Sequence, residues 1–401
     1  MNILVLNCGS SSVKYKILHV SARREETVLA GLVERVGTPQ VAHCAERAGG
    51  KAEALPGKPR GYRAAIKWAV RTALAEGREI EAVGHRVVHA GEKFTGSVRV
   101  TPQVVAALEE CSELAPLHNP PNLAGIAVAQ RLLPKAVHVA VFDNALHHGL
   151  EPAVYTYALP LEYYRKYRVR RYGFHGVAFR SAYERARHLL GRNLDRLRVI
   201  TLMLGSGCTA NARLKGRSVE VSTGFTPLEG LVQSTRSGDV DPAAVLYLME
   251  RERLSPAQAS DMLNKRSGLL GISEVSADLR DIQAAAQARP SARLALKVFV
   301  HRARKYLGGY AAVLGGLDVL IFAGGIGERA ADLRWAICER MAYMGLRLSR
   351  AANAAAVGKE AVISAPSSKV AVVVVRVDEE RVIARDCYQI VARGLDKLAP
   401  E

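Results

Sequence analysis

The sequence contains no C-x-x-C pair, although it has six cysteines. They lie far apart, at Cys8, Cys44, Cys111, Cys208, Cys338 and Cys387. This scatter fits neither the paired spacing of a zinc site nor the dense cysteine pattern of a small disulfide framework. Reduced thiols are typical of the cytoplasm, so we expect a cytoplasmic protein.

Long hydrophobic runs are also missing. The run "VAVVVV" at Val370 to Val375 is one of the longest. A membrane-spanning helix needs about 20 apolar residues, so such runs fall far short of one. The first residues lack the basic region and the cleavage site of a secretory signal. We therefore expect no membrane partner.

Nucleic-acid-binding motifs are absent too, since there is no zinc-finger spacing, RNP-type aromatic motif or long basic tail. The chain is nevertheless basic, with 56 Lys and Arg against 38 Asp and Glu and a net charge of +18. This charge indicates an affinity for anions such as phosphates or carboxylates. We interpret the densest basic run, Arg165 to Arg171, as a basic face beside an active site. We expect no nucleic-acid partner.

Strand-like apolar runs alternate with alanine-rich helical stretches, which predicts an α/β fold. A length of 401 residues favours two domains. The stretch Arg198 to Val221 repeats the pattern of Met1 to Leu18: an apolar strand, a turn of small residues and a second strand. A third apolar strand, in Leu317 to Glu328, ends in a glycine-rich turn. We infer an internal duplication in which the turns face a shared cleft, with Cys44 to Gly61 as a flexible connection.

The first of these turns reads "NCGSSSVK", from Asn7 to Lys14. Its backbone N–H groups and hydroxyl groups could bind a phosphate, because glycine lets the backbone come close to a ligand. Lys14 could add a positive charge for the same anion. An ordinary hairpin turn is an equally good interpretation, since Gly and Ser favour turns anyway.

Two charged residues fall within or at the end of predicted strands. Arg86 precedes two valines in "GHRVVHAGEKFT", and a buried arginine is costly unless it meets an anion. That anion could be a substrate carboxylate or phosphate, or the arginine could form a structural ion pair. Asp143 ends the strand in "VAVFDNALHH", where a carboxylate could act as a base or orient an attacking oxygen.

Three further residues stand in polar or glycine-rich loops. His118 lies in the proline-rich "APLHNPPN", and His175 lies between glycine-rich turns in "RRYGFHG". Arg236 lies in a polar loop beside Asp239 and Asp241. A single histidine is more often structural than catalytic, so the prediction depends on the whole set.

Taken together, these residues match phosphoryl transfer, in which catalysis consists mostly of positioning and neutralising phosphate oxygens. A magnesium ion would bridge the donor phosphates, with Glu379 or Glu380 as a protein ligand. The P-loop and the dinucleotide-binding fingerprint are both absent, so the chain is neither a P-loop kinase nor a Rossmann-type enzyme.

The order of these motifs resembles that of the acetate kinase family of short-chain carboxylate kinases. The likeness covers almost the whole chain, in the blocks "NCGSSSVK", "GHRVVHAGEKFT", "LAPLHNPPN", "VFDNALHH", "RRYGFHG", "GFTPLEGL" with "TRSGDVDP", "GGIGE" and "DEERVIARD". It implies a duplicated two-domain RNase H-like fold, as in actin and sugar kinases, with an interdomain cleft. Residues 1–148 and 381–401 would form one domain. Residues 149–380 would form the other, on the nucleotide side and with the homodimer contacts.

The resemblance implies an enzyme that transfers the terminal phosphoryl group of ATP reversibly to acetate or propionate, with Mg²⁺ or Mn²⁺ as cofactor. The catalytic set would be Asp143, Arg86, His175, Arg236 and His118. The acyl pocket would consist of Val88, Leu117, Phe174 and Pro227. Phosphates and nucleotide would contact Ser10, Ser12, Lys14, Gly205, Ser206, Gly207, Gly324, Gly325 and Gly327. The metal would be held by Asn7 and Glu379.

Departures from the family pattern cluster at the second turn, "MLGSGCTA". Met203, Ser206 and Cys208 replace the usual histidine, asparagine and serine, and Arg329 follows Glu328 where the family has an asparagine. Losing such hydrogen-bonding groups costs about 1–3 kcal/mol each. Three explanations stay open: ATP bound through backbone N–H groups alone, a different donor such as pyrophosphate, or an enzyme that is slow or specialised in one direction. A nucleotide-binding protein with little turnover is a separate alternative.

Overall fold

The computed structural model describes residues 1–9, 12–57, 59–116 and 118–399. The chain forms two compact units: unit 1 comprises Met1–His148 and Asp378–Glu401, and unit 2 comprises Gly149–Val377. Among the described residues, no helix combines the length and the apolar character needed to cross a membrane. The functions predicted for the two domains stay predictions.

Unit 1 contains a mixed sheet with eight strands among its described residues. They are β1 (Asn2–Cys8), β2 (Val13–Val20), β3 (Glu25–Glu34), β4 (Ala42–Arg47), β5 (Glu53–Ala54), β6 (Ala82–Val87), β7 (Val98–Arg99) and β8 (Val137–Phe142). Their order across the sheet is β5-β4-β3-β2-β1-β6-β8-β7. Strand β1 pairs antiparallel with β2 and parallel with β6, and β6 pairs parallel with β8. Because β1 lies at the centre, its apolar run from Ile3 to Leu6 is fully buried.

Unit 2 contains a second mixed sheet, of six strands, and all residues of this unit are described. They are β9 (Val199–Leu204), β10 (Cys208–Leu214), β11 (Arg217–Val221), β12 (Val319–Ala323), β13 (Ala361–Val362) and β14 (Ala371–Val374). Their order is β11-β10-β9-β12-β14-β13. Strand β9 pairs antiparallel with β10 and parallel with β12, and β12 pairs parallel with β14.

The two sheets share one connectivity. In each sheet, three consecutive antiparallel strands are followed by two strands parallel to the first, in the orders β3-β2-β1-β6-β8 and β11-β10-β9-β12-β14. The two predicted strand–turn–strand repeats are β1–β2 and β9–β10. The α/β class and the internal duplication predicted from the sequence are therefore confirmed.

The described residues form fifteen α-helices, several of which pack on the sheets. They are α1 (Tyr62–Leu74), α2 (Pro102–Glu110), α3 (Asn119–Leu132), α4 (Pro152–Tyr155), α5 (Leu161–Tyr167), α6 (Gly176–Leu190), α7 (Pro242–Arg251), α8 (Pro256–Lys265), α9 (Gly268–Ser273), α10 (Leu279–Ala285), α11 (Pro290–Val313), α12 (Gly324–Arg329), α13 (Ala331–Cys338), α14 (Arg350–Ala355) and α15 (Glu379–Ala392). In unit 1, α15 packs on β6 at Gly84. A Cβ atom there would lie only 2.5 Å from Cγ2 of Ile383 and 2.8 Å from Sγ of Cys387, so this close approach requires glycine.

Three local predictions are wrong. The stretch Cys44 to Gly61 is not a flexible connection between domains, because it supplies part of β4 and all of β5 at the edge of the unit 1 sheet. The glycine-rich segment after β12 is not a turn, because α12 begins directly at Gly324. The proline-rich segment around His118 is not a continuous loop, because α3 begins at Asn119 with proline in its first turn, a favoured position.

Candidate active site

The predicted residues of unit 1 gather around the guanidinium group of Arg86. Strands β6 and β8 are parallel neighbours, so Arg86 in β6 and Asp143, the residue after β8, meet at the same edge of the sheet. The guanidinium donates to both carboxylate oxygens, over 3.1 Å from Nε to Oδ1 and 2.5 Å from Nη2 to Oδ2. The side chain of Asp143 is 1% exposed, so this bidentate ion pair is shielded from water.

Asn7 and Glu379 extend this arrangement. Nη1 of Arg86 donates to Oδ1 of Asn7 over 3.1 Å, and Nδ2 of Asn7 donates to Oε2 of Glu379 over 3.1 Å. Burial acts against the charge of Arg86, but the carboxylates of Asp143 and Glu379 outweigh it and raise the pKa of Arg86. We call these four residues the Arg86 cluster; they connect the ends of β1, β6 and β8 with the start of α15.

The other predicted phosphate residues of unit 1 lie around the β1–β2 turn. Ser12 closes this turn by accepting at its carbonyl oxygen from the N–H of Gly9 over 2.9 Å, and Lys14 is exposed on β2. Glu380, the alternative metal ligand, faces away from Asn7 toward Lys16, with 3.7 Å between Oε2 and Nζ. Two predicted residues, Ser10 and Leu117, lie outside the described residues.

Three buried asparagines hold the loop after β6, which carries Val88. Oδ1 of Asn122 accepts from the N–H of Val88 over 3.1 Å. Asn119 and Asn144 accept from the next two N–H groups of this loop over 3.2 and 3.0 Å. His118, half-buried, directly precedes the first of these asparagines. The sequence analysis assigned no role to the three amides, because their partners are distant in sequence.

In unit 2, His175 lies at the N-terminus of α6 with a φ of 63°. This left-handed conformation is uncommon for a residue other than glycine and is often found at functional positions. Nδ1 of His175 is 2.9 Å from Oγ1 of Thr209, so the ring is fixed beside the turn between β9 and β10. Phe174 is buried, and its N–H donates to Oγ1 of Thr223 over 2.9 Å.

Arg236 is a half-buried cation with no carboxylate partner in the described part of the chain. Its Nη1 donates to the amide oxygen of Gln233 over 3.2 Å, and the amide nitrogen of Gln233 donates to the carbonyl oxygen of Pro227 over 2.8 Å. Burial lowers the pKa of Arg236 because no neighbouring carboxylate compensates for it. The nearby Asp239 and Asp241 have other partners. Asp239 accepts from the N–H of Gly230 and from the hydroxyl group of Tyr306, and Asp241 caps the N-terminus of α7.

Arg236 also lines a cavity of about 1010 Å³ in unit 2. The predicted residues Gly205, Ser206, Gly207 and Gly325 line this cavity, whereas Gly324 and Gly327 do not. Arg280 and Arg329 add two further guanidinium groups, and the one carboxylate of the lining, Asp278, forms an ion pair with Arg280 at 2.6 Å. The charged side chains of the lining therefore make the cavity net positive, which suits an anionic ligand.

Part of this lining was missed from the sequence. Asp278, Arg280 and Gln283 belong to α10 and its N-terminal cap, a segment without a motif that we assigned to a ligand. Asp278 caps the helix by accepting from the N–H of Arg280 over 2.9 Å. An Asp two residues before an arginine at a helix start is a common capping pattern, so the sequence alone gave no reason to place it at a site.

The unusual β9–β10 turn is closed by its own groups. The N–H of Gly205 donates to the carbonyl oxygen of Gly207 over 3.1 Å, and the Cys208 thiol donates to the carbonyl oxygen of Gly205 over 3.2 Å. Burial raises the pKa of Cys208 to about 12, so the thiol stays neutral. Met203 is buried as well. Two of the three departures from the family pattern are thus neutral, buried side chains, and the third, Ser206, is exposed at the cavity.

Arg334 also had no role assigned from the sequence. Its side chain is buried without a carboxylate partner in the described part of the chain. Nη1 donates to the carbonyl oxygen of Gly327 over 2.7 Å, while Nε and Nη2 donate to Oδ1 and the carbonyl oxygen of Asn353 over 2.8 and 2.9 Å. Arg334 therefore anchors α12, the helix that brings Gly325 and Arg329 to the cavity.

Comparison with known proteins agrees with this geometry. The model of the acetokinase family matches residues 2–385. The acetate kinase of Desulfitobacterium hafniense (strain DSM 10664 / DCB-2) is 46% identical over 403 residues, covering 98% of this chain and 100% of the relative.

Two solved structures are similar over nearly the whole chain. The crystal structure of Porphyromonas gingivalis acetate kinase has a TM-score of 0.90 at 43% identity, and covers 97% of this chain and 99% of its own. The crystal structure of a propionate kinase from Francisella tularensis subsp. tularensis SCHU S4 has a TM-score of 0.88 at 35% identity, and the match covers 96% of this chain and 98% of the propionate kinase chain. This chain belongs to the acetokinase family.

Proposed function

We propose that this chain is an acetate kinase, which transfers the terminal phosphoryl group of ATP reversibly to acetate or propionate and forms acyl phosphate and ADP. The observation that carries the proposal is the half-buried, unpaired guanidinium of Arg236 in a net-positive cavity. Burial disfavours an unpaired charge in that position, so a bound anion would stabilise it. The phosphates of a nucleotide supply that anion, and names of the similar proteins support a carboxylate as acceptor.

The two arginines have different tasks in this proposal. A transferred phosphoryl group spreads its charge over three oxygens, and fixed cations that stabilise this charge account for most of the catalysis. Arg236 is free to bind a phosphate directly. Arg86 is already bound to Asp143 through Nε and Nη2, so the orientation of its guanidinium is fixed. Its Nη1, which here donates to Asn7, could donate to a substrate oxygen instead.

The acceptor needs orientation more than activation. A substrate carboxylate is already ionised at neutral pH, so no strong base is required. We therefore assign Asp143 to orienting the reacting groups through Arg86, and His175 to stabilising developing charge from its fixed position on Thr209. In-line attack of the carboxylate oxygen on the terminal phosphorus then forms the acyl phosphate bond and breaks the bond to ADP.

A magnesium ion fits the donor set at Asn7 and Glu379. Mg²⁺ prefers oxygen ligands and is usually held by one or two carboxylates together with water and substrate phosphates. The carboxylate of Glu379 is such a ligand, and the amide oxygen of Asn7, which accepts from Nη1 of Arg86 here, would become a second one once Nη1 turns to a substrate oxygen. No cluster of three or more His, Cys, Asp or Glu side chains within the described ranges could hold a metal by itself. Bound there, the ion would neutralise phosphate charge and help to align the donor.

We propose that the acyl site takes a short chain. Phe174 is 2% exposed, Val88 is 8% exposed, and Pro227 is half-buried and bonded to Gln233. A methyl or ethyl group suits such apolar walls. Since one methylene changes binding by only about 1–3 kcal/mol, we propose that both acetate and propionate are substrates.

We also propose that two copies of this chain associate through unit 2. Helices α5 and α7 expose large apolar side chains, with Leu161 and Tyr167 on α5 at 46% and 53%, and Leu246 and Tyr247 on α7 at 66% and 56%. Exposed apolar surface of this kind is typical of an interface. Light scattering after gel filtration should give a dimer, and Leu246→Glu should shift it toward the monomer. The six free cysteines further support our proposal of a reducing, cytoplasmic environment.

The decisive experiment traps acyl phosphate with hydroxylamine. Purified protein would receive magnesium and acetate, with ATP in one sample and pyrophosphate in another, and we expect product with ATP. Product from pyrophosphate alone would mean that the turn with Met203 and Ser206 serves a different donor. Product from neither, with propionate silent as well, would refute the proposal in favour of a nucleotide-binding protein with little turnover.

A further inference from the structure

One carboxylate in unit 2, that of Glu229, connects two segments that are distant in sequence. Nη2 of Arg171 donates to Oε1 of Glu229 over 2.6 Å, and the hydroxyl group of Tyr157 donates to Oε2. Arg171 stands three residues before Phe174, and Glu229 stands two residues after Pro227. The carboxylate therefore joins the segments that carry two walls of the proposed acyl pocket.

Both partners of Glu229 continue the connection. Nη1 of Arg171 donates to the carbonyl oxygen of Val221 over 2.9 Å, and lies 3.4 and 3.3 Å from the next two carbonyl oxygens. The hydroxyl oxygen of Tyr157 accepts from the N–H of Phe225 over 2.7 Å. The backbone adds a bond of 3.0 Å from the N–H of Tyr172 to the carbonyl oxygen of Gly224. The loop from Val221 to Glu229 is thus fixed at several points.

Gly224 shows how closely the groups approach. A Cβ atom at this position would lie 1.6 Å from Oε2 of Glu229 and 2.1 Å from the hydroxyl oxygen of Tyr157. Any larger residue there would have to displace the carboxylate and the hydroxyl group. The carboxylate and the hydroxyl group are therefore in contact with the backbone of the loop itself.

The charge of Glu229 matters because its partner is poorly solvated. The side chain of Arg171 is 17% exposed and that of Glu229 is 30% exposed. A second carboxylate, that of Glu220, lies 4.0 Å from Nε of Arg171 and accepts from the N–H of Val221, at the start of this loop, over 3.0 Å. Removing the Glu229 charge would leave Arg171 with this distant partner, and the loop without its anchor.

We propose that Glu229 is a positioning residue that fixes the distance between Phe174 and Pro227 and thereby selects the length of the acyl tail. This inference rests on the proposed function, since it concerns the carboxylate substrate of the same site. Glu229 lies behind the pocket wall, bound to Arg171 and Tyr157, and acts on the substrate only through the residues that it holds.

The test compares Glu229→Gln with the matched control Glu220→Gln. The glutamine oxygen can accept from Arg171 or from Tyr157, but its NH₂ group cannot accept from the other, so the connection is broken on one side. For Glu229→Gln we expect the KM for acetate to rise roughly tenfold with little change in the KM for ATP. The ratio of kcat/KM for propionate to that for acetate should rise about threefold or more, because a looser wall admits the longer tail. Tyr157→Phe should change both quantities in the same direction, and Glu220→Gln should change neither.

Hydrogen exchange gives a second readout that does not require catalysis. Glu229→Gln should speed amide exchange in residues 171–175 and 222–229 together, whereas Glu220→Gln should not. An unchanged exchange pattern with an unchanged substrate ratio would overturn the proposal. An equal fall in kcat for both acids with a lower melting temperature would overturn it too, since the residue would then be merely structural. If the wild type makes no acyl phosphate, the proposed function fails, and exchange alone still decides whether Glu229 fixes the loop.

Discussion

Replacing Arg334 with lysine should destabilise unit 2 by about 3–6 kcal/mol. The guanidinium is 1% exposed, and its bonds reach the carbonyl oxygens of Gly327 and Asn353 from different nitrogens. The single ammonium group of lysine cannot donate at once to these two carbonyl oxygens and to Oδ1 of Asn353, because the three acceptors are bound by different nitrogens of the guanidinium group. At least two hydrogen bonds of a charged donor are lost, each worth about 1.5–3 kcal/mol. Burial already lowers the pKa of Arg334 to about 10, and the Coulombic effect of Asp332 does not compensate for it, so a lysine charge would be poorly stabilised there.

Urea unfolding followed by tryptophan fluorescence measures this effect in unit 2 alone. The chain has two tryptophans, Trp68 in unit 1 and Trp335 in unit 2 beside Arg334. In a Trp68→Phe background the signal therefore comes from unit 2. With a urea dependence of about 2–3 kcal/mol per molar, the unfolding midpoint should fall by about 1–3 M.

The control is Arg340→Lys, at an exposed position of the same unit, which should leave the midpoint unchanged. If Arg334→Lys unfolds at the same urea concentration as this control, the reasoning about its forked hydrogen bonds is wrong. If the midpoint falls as expected, the affinity for nucleotide should fall as well, because α12 then loses its anchor at Gly327.

Three further predictions concern the site and its pH dependence. Arg236→Ala should lower turnover at least about 100-fold, because the guanidinium group is proposed to bind the phosphate. The circular dichroism spectrum should not change, because the side chain is hydrogen-bonded to Gln233 and not to a carboxylate in the described residues. Equal turnover would contradict the assignment. Asp143→Asn should lower turnover, and it should lower the free energy of unfolding of unit 1 by about 3–5 kcal/mol, because Arg86 loses its buried counter-charge. The acyl phosphate assay checks the turnover, and a urea titration checks the stability. Burial lowers the pKa of His89 from 6.5 to about 4. Between these two pH values the imidazole is protonated in the unfolded chain but neutral in the folded chain, so the free energy of unfolding falls as the pH falls. Between pH 7 and pH 4.5 His89→Gln should remove about 2–3 kcal/mol of this loss, as unfolding curves at the two pH values will show.

Some of the fold and the site could be read from the sequence because the signals are local. The β1–β2 and β9–β10 hairpins follow from apolar runs on both sides of a turn of small residues. Arg86 and Asp143 were recognisable because each stands at the end of an apolar strand, where parallel neighbours bring side chains together.

The rest depends on contacts between distant residues. Glycines disfavour helices, so "GGIGE" predicts a turn, yet Arg334 holds this segment as α12 from outside it. The composition of Cys44 to Gly61 is that of a linker, but pairing with β3 recruits part of it into the sheet. Arg334 lies in no quoted motif. Glu229 and the three asparagines that hold the loop of Val88 lie inside motifs that give them no role by themselves, because the role depends on partners far away in the sequence.

The discontinuity of unit 1 has a consequence for synthesis on the ribosome. Helix α15 packs against β1, β2, β6 and β8, but the whole of unit 2 is translated between these strands and the helix. At 5–20 residues per second, roughly 230 residues take about 10–50 s, during which this face of the sheet stays uncovered. Unit 2 is continuous in sequence and can fold in that interval. The nascent unit 1 still exposes the apolar face of its sheet, and we expect chaperones to bind it. Because α15 also delivers Glu379 to Asn7, the pair that we propose as the metal site is assembled last.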